Sequence, residues 1–235
     1  MPGVDARRLA DRHPGEVSLV DLKPAPSDLA LMLDITPTHT TSQVLRDWQR
    51  LDRQMLAGAM TEHGSGMQVL PQESYDDHNA SEDVVPADRR AVRQLLSLLR
   101  RAYRVSVLDL DTSLGDAQIE AMKLSTCVAL LVRPDVPGIR RARWALDAAA
   151  RRGVARERFR LVVSRAGVRR QVPPAKCAEN LGIPLLQTIP DDGSAMNHAV
   201  NHGLPLSESS KLSRINRSFT TFAKSIESMR GSQTV

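Results

Sequence analysis

The chain has 235 residues, 41% hydrophobic and 25% charged, which is enough apolar material to bury one sizeable core. Aromatic residues make up only 3%, so the core must be built mainly from Leu, Val, Ile, Met and Ala, which suits helices stacked on a sheet better than an aromatic-rich β-sandwich. The formal net charge is +5, no window nears the roughly 18 apolar residues of a membrane span, and MPGVDARRLADRHPGEV has charges where a signal peptide needs an apolar run, so a cytoplasmic protein is expected.

In chain order, short runs rich in Val, Ile and Leu alternate with stretches of helical period. A helix is expected over 4–12, then a strand over 16–21 that ends in Asp21. Helices follow over 41–48 and 52–62, and a second strand over 67–70. Residues 71–85, PQESYDDHNASEDVV, are polar and without period, which marks a long surface loop. Pro86 opens a helix over 87–103, as a first-turn proline does.

The remaining strands are expected over 104–110, 127–132, 159–164 and 185–189, with helices over 115–124, 138–152, 174–181 and 192–201 between and after them. Several of these strands are apolar without alternation, as strands buried on both faces are. The expectation is a three-layer α/β domain over 1–210, a mostly parallel sheet with helices on both faces. In 211–230, Leu212, Ile215, Phe219, Phe222, Ile226 and Met229 recur at three- and four-residue steps, one apolar stripe of a last helix. Residues 211–235 are expected to pack on the same domain, or to serve as a partner or membrane-surface helix.

Charge is unevenly spread. Glu73, Asp76, Asp77, Glu82, Asp83 and Asp88 form an acidic group, while Arg140, Arg141, Arg143, Arg151, Arg152, Arg156, Arg158 and Arg160 form a basic stretch. Such a stripe either holds phosphate-rich partners such as DNA or anionic lipid, or is a solvated helix face. Cys127 and Cys177 lack metal or disulfide spacing and are expected as reduced thiols. His198 and His202 are four apart, without an HExxH glutamate or third ligand, and read as surface histidines.

A doubly wound sheet carries its working groups in the loops after the carboxyl ends of its strands. Those loops hold Asp21 with Lys23, Asp109 with Asp111, Ser164 with Arg165, and Pro190 with Asp191 and Asp192. A strand-end Asp can hold Mg²⁺ or its water ligands beside a nucleotide, or simply cap a helix or turn. Asp191 and Asp192 precede a helix and suit capping.

The runs VSLVDLKPAPSDLALMLDITPTHTTSQVLRD, GMQVLPQ, YRVSVLDLDTSLGDAQIEAMKLSTCVALLVRPDVPGIRRARWAL, LVVSRAG and LGIPLLQTIPDDGSAMNHAVNHGLPL, in this order, resemble the CpaE/TadZ branch of the MinD/ParA ATPases. The resemblance spans about Glu16 to Leu206. It implies a P-loop NTPase-like fold, ATP and Mg²⁺ as cofactors, a homodimer, and a role in assembling or positioning Flp-type pili at the cell pole. By the same resemblance Asp21 matches the Asp ending the family's second strand, and Asp109 the Walker B carboxylate near Mg²⁺, with Asp111 beside it. Arg133, Pro134 and Asp135 fit the family's loop after a strand, and Pro190 with Asp191 its base-side loop.

The departures are equally specific. Lys23 falls where many of these ATPases have the second Asp of a DxD pair, and a charged lysine cannot accept a proton. Ser164, followed by Arg165, stands where the family often has an Asn that reads adenine. The resemblance implies a first strand and a Gly-rich loop ending in Gly-Lys-Thr, but Met1 falls where the first helix begins, and GxxxxGK[ST] occurs nowhere in the sequence. A pseudo-ATPase and an ATPase whose start lies upstream are both consistent with this. The expected function is thus a degenerate MinD/ParA-like scaffold with a dimer face around Asp21, Lys23, Asp109 and Asp111. The alternatives are an active ATPase and a ParA-like DNA binder using Arg140, Arg141, Arg143, Arg151 and Arg152. The protein is expected in the cytoplasm, at the inner face of the membrane or the pole, with 211–230 as the membrane contact.

Overall fold

The computed structural model describes residues 2–24, 26–75, 87–201, 206 and 213–231. The expectations for Asp76, Asp77, Glu82, Asp83, Pro86, His202, Lys211 and Leu212 lie outside the described residues. Contacts divide the chain into two compact units, Met1–Leu124 with Val200–Pro205, and Ser125–Ala199 with Leu206–Val235.

The first unit runs α1 (Pro2–Ala10), β1 (Val17–Asp21), α2 (Leu29–Met32), α3 (Thr41–Arg46), α4 (Arg53–Ala59), β2 (Thr61–Glu62), β3 (Gln68–Leu70), α5 (Arg89–Ala102), β4 (Val105–Asp109) and α6 (Asp116–Leu124). Its sheet has the order β2-β3-β1-β4, with β1 parallel to β3 and to β4 and β2 antiparallel to β3. Because β1 has a strand on each side, all five of its residues are buried. Val105 to Leu108 of β4, paired on one side by β1, are only partly buried.

Side chains on alternate faces of β1 serve two layers. On one face α1, which buries Ala6, Leu9 and Ala10, packs against β1 and β4. On the other, Val20 and Leu22 join a cluster with Val44 and Leu45 of α3, Leu56 of α4, Val92, Leu95 and Leu99 of α5, and Ala117 and Ala121 of α6. Local signals set the helix starts: Thr40 and Gln43 form a reciprocal capping box for α3, Asp52 accepts from Met55 N at 2.8 Å, and Asp88 accepts from Arg90 N at 2.8 Å.

Two local expectations are corrected. The helix expected over 52–62 stops at Ala59, because Thr61 and Glu62 pair with Val69 and Gln68 as a short antiparallel strand. The one-turn helix α2 was not anticipated; its four residues are too few to show a period.

The second unit runs β5 (Val128–Val132), α7 (Val136–Arg151), β6 (Phe159–Ala166), α8 (Pro174–Leu181), β7 (Leu185–Pro190), α9 (Gly193–Asn201, its last two residues in the first unit) and α10 (Arg214–Gly231). Its sheet, β5-β6-β7, is wholly parallel. The strands thus form ladders of four and three, mostly parallel, with helices on both faces.

Asp135 caps α7 through Gly138 N at 2.7 Å, and a Cβ at Gly138 would lie 2.4 Å from the Arg133 carbonyl oxygen, so this turn requires glycine. Gly182, at φ +62°, ends α8 in the left-handed region. The stripe expected on the last helix is buried at Ile215, Phe219 and Phe222, and α10 packs on β7, where Gln187 Nε2 donates to Ser218 O at 2.9 Å. Arg214, Arg217 and Lys224 lie off the stripe and are exposed. Among the described residues no helix is long and apolar enough to cross a membrane.

Candidate functional site

The in-register parallel pairing of β1 and β4 sets Asp21 directly beside Asp109, each the last residue of its strand. Adjacent carboxylates at such depth repel unless a cation joins them. Here the cation is Lys23: its Nζ lies 2.5 Å from Asp109 Oδ2 and 3.5 Å from Asp21 Oδ2. The Asp21 side chain is fully buried, while that of Lys23 keeps 30% exposure.

The backbone around Lys23 is gripped at four points. Lys23 N donates to Asp21 Oδ1 at 3.0 Å, and Leu22 N to the Asp109 carbonyl oxygen at 2.9 Å. Gln118 Nε2, from α6, donates to Leu22 O at 2.9 Å, and Gln72 Nε2 to Lys23 O at 2.7 Å. Gln72 Oε1 in turn accepts from Ser42 Oγ at 2.8 Å and from Glu73 N at 3.1 Å. Both glutamines are buried, so each amide is fixed by the bonds it makes.

These contacts shape the ionisation of the cluster. Burial raises the Asp21 carboxyl above its ordinary range, against the opposing effects of a Ser27 hydrogen bond and the nearby Lys23 N–H and ammonium. Burial also works against the Lys23 charge, but its hydrogen bond to Asp109 and the two carboxylate charges outweigh it, leaving the ammonium above its ordinary value. The cluster therefore holds its proton on Lys23 and has no cationic group free to lose one near neutral pH.

The other expected positions fall into separate places. Asp111 accepts from Ser113 Oγ at 2.8 Å, two residues beyond the end of β4. Arg165 and Asp191 are brought together by the pairing of β6 and β7, at 3.8 Å, with Arg165 at φ +52° and Asp191 N bonded to Ala166 O beside Pro190. The Ser164 hydroxyl is directed to Val132 O at 3.4 Å. Asp192 caps α9 through Ala195 N at 3.1 Å, whereas Asp191 makes an ion pair instead of the cap expected of it.

The basic stretch is divided by use. Arg143 donates to Asn180 O at 2.7 Å, Arg156 to Leu181 O at 2.5 Å, Arg158 to Ser125 O, and Arg160 to Glu157 O at 2.6 Å. These four arginines tie down carbonyl groups. Arg140, Arg141 and Arg151 are exposed along α7 and Arg152 partly so. His198 is exposed on α9. Among the described residues no group of three or more His, Cys, Asp or Glu is placed to hold a metal ion.

Sequence reasoning missed Gln72, Gln118 and Ser27. Gln72 follows the end of β3, so the strand-end rule applied to that strand would have reached it. Gln118 lies in the first turn of a helix and carries no signal in the sequence that distinguishes it from a solvated residue.

No family profile matches the chain, and no curated protein matches it. Solved structures do. A ParA family ATPase from Chlorobium tepidum TLS superposes with a TM-score of 0.82 at 18% identity, over 95% of this chain and 91% of that one. The septum site-determining protein MinD from Pyrococcus horikoshii OT3, complexed with Mg-ADP, gives 0.77 at 21% identity, over 98% and 92%. The MinC:MinD cell division protein complex of Aquifex aeolicus gives 0.76 at 14%, over 97% and 90%.

The Mg²⁺ of such a neighbour can be tested against the residues present. A hard divalent cation needs oxygen ligands in near-octahedral array, but the point within reach of both Asp21 and Asp109 is held by an ammonium whose N–H groups use the carboxylate lone pairs. The residues as arranged do not fit a magnesium ion. What the superpositions establish is architecture: this chain has the α/β fold of the MinD and ParA ATPases.

Proposed function

We propose that this chain is a MinD/ParA-like protein of the CpaE/TadZ type that acts as a homodimeric scaffold for pilus assembly or polar positioning, with a degenerate ATPase site. The observation that carries the reading is Lys23 bridging Asp21 and Asp109 at 3.5 and 2.5 Å. A charged lysine there neither orients an attacking water as a base nor shares the pair with a divalent cation. A neighbour in this fold is a MinC:MinD cell division protein complex, which supports a partner-binding role.

A second reading, an ATP-binding ATPase with Asp21 and Asp109 at its nucleotide site, is favoured by the fold's likeness to MinD with Mg-ADP. Calorimetry of ATP and ADP with Mg²⁺ on the purified chain decides between them, with Asp109→Ala as control. No heat from folded protein supports the scaffold. Binding that needs Mg²⁺ and is lost in the variant refutes it. Exposed Arg140, Arg141 and Arg151 keep a DNA-binding role open to test: binding of that kind falls steeply with added salt.

A further inference from the structure

The first unit contains a cation-binding geometry that already has its cation. Two carboxylates from neighbouring strands converge because register makes them converge, and no choice of rotamer elsewhere separates Cα atoms held by a parallel ladder. The cation is covalently part of the chain, two residues beyond one of the acids it neutralises. Its backbone is clamped on both sides, by Gln118 on Leu22 O and by Gln72 on Lys23 O.

We infer that Lys23 is a resident counter-ion that closes the Asp21–Asp109 pair to divalent cations, so that this unit keeps an ammonium-bridged strand end whatever the divalent ion concentration around it. The inference rests on the degenerate-site reading and extends it from nucleotide to cation chemistry. A free divalent ion dissociates and can report a bound nucleotide. An ammonium tethered by a lysine stem does neither. Glutamine grips on both flanking carbonyls serve the same end, because they hold the stem's origin over the acids. Since the ammonium presents only N–H donors, a divalent ion approaching the pair meets a positive charge in place of a third oxygen ligand.

The test uses Mn²⁺ as the probe, read by loss of the free aqueous Mn²⁺ paramagnetic resonance signal, on the full chain without nucleotide. The unaltered protein is expected to leave the signal intact to about 1 mM metal, the weak end of carboxylate sites. Lys23→Ala is expected to bind about tenfold more tightly or better, and Lys23→Asp, which adds a third carboxylate, more tightly still. In each background Asp109→Asn should abolish the gain, and excess Mg²⁺ should compete. Lys23→Arg, which keeps the charge, should remain closed.

Mn²⁺ bound by the unaltered chain, displaced by Mg²⁺ and lost in Asp109→Asn, overturns the inference without recourse to any lysine variant. Folded Lys23→Ala and Lys23→Asp that both fail to bind also overturn it, since the lysine would then not be what excludes the ion. These outcomes are separable from the functional reading, because ATP binding is measured independently of Mn²⁺.

Discussion

Replacing Lys23 with Met keeps the length of the stem and removes its charge, leaving Asp21, fully buried, and Asp109, 12% exposed at its side chain, facing each other. A fully buried pair broken on one side costs about 3–5 kcal/mol, and an exposed pair about 0–1. With 30% of the Lys23 side chain exposed, the expected loss lies between these limits, about 2–4 kcal/mol. Trp48 packs against the core of the first unit, and Trp144 is the second of the two tryptophans, 59% exposed in the other unit. In a Trp144→Phe background, fluorescence therefore reports on the first unit alone. With a urea slope of about 2 kcal/mol per M, the midpoint should fall by about 1–2 M. Combining Lys23→Met with Asp109→Asn should recover part of the loss, because the double variant no longer buries two like charges. A fall of less than about 0.5 kcal/mol, the scatter of ordinary surface changes, would refute the reasoning and reduce the triad to a solvated ion pair.

Two further outcomes are expected. Phe219→Ala removes a fully buried ring from α10 and should cost about 3–5 kcal/mol in urea unfolding followed by circular dichroism; a loss below about 1 kcal/mol would mean that the helix is not part of this core. Burial pushes the Cys127 and Cys177 thiols up, only partly offset at Cys127 by Arg160. Less thiolate is then present at pH 8 than in an ordinary cysteine, so aromatic disulfide reagents should label the native chain slowly and the unfolded chain fast, the native rate climbing only above the usual thiol range. Fast native labelling at pH 8 would contradict that burial.

Most of the architecture was legible in one dimension because burial on both faces leaves a mark in composition. The runs at 17–21 and 159–164 are strands for the reason that made them recognisable: helices cover them, so no polar alternation is needed. The amphipathic helices α5 and α10 were equally readable, since a helix with one buried face repeats its apolar residues every three or four positions. The short β2 was not, because two residues carry no period and their pairing with β3 is decided by the partner strand.

The candidate site divides in the same way. The sequence by itself determined that Asp21 ends its strand and that Asp109 lies one residue before the strand end expected at Leu110, since strand ends follow from local pattern. Only the tertiary structure decided that they meet, because register between strands separated by more than 80 residues is set by packing of α1 on one face and of α3 to α6 on the other. It likewise decided that the Lys23 ammonium lies on Asp109 rather than in solvent, that Gln72 and Gln118 hold its backbone, and that four of the eight arginines over 140–160 bond to carbonyls while Arg140, Arg141 and Arg151 are left exposed. A long polar side chain has no periodic signature: whether it reaches a partner or water depends on what the fold places within its reach.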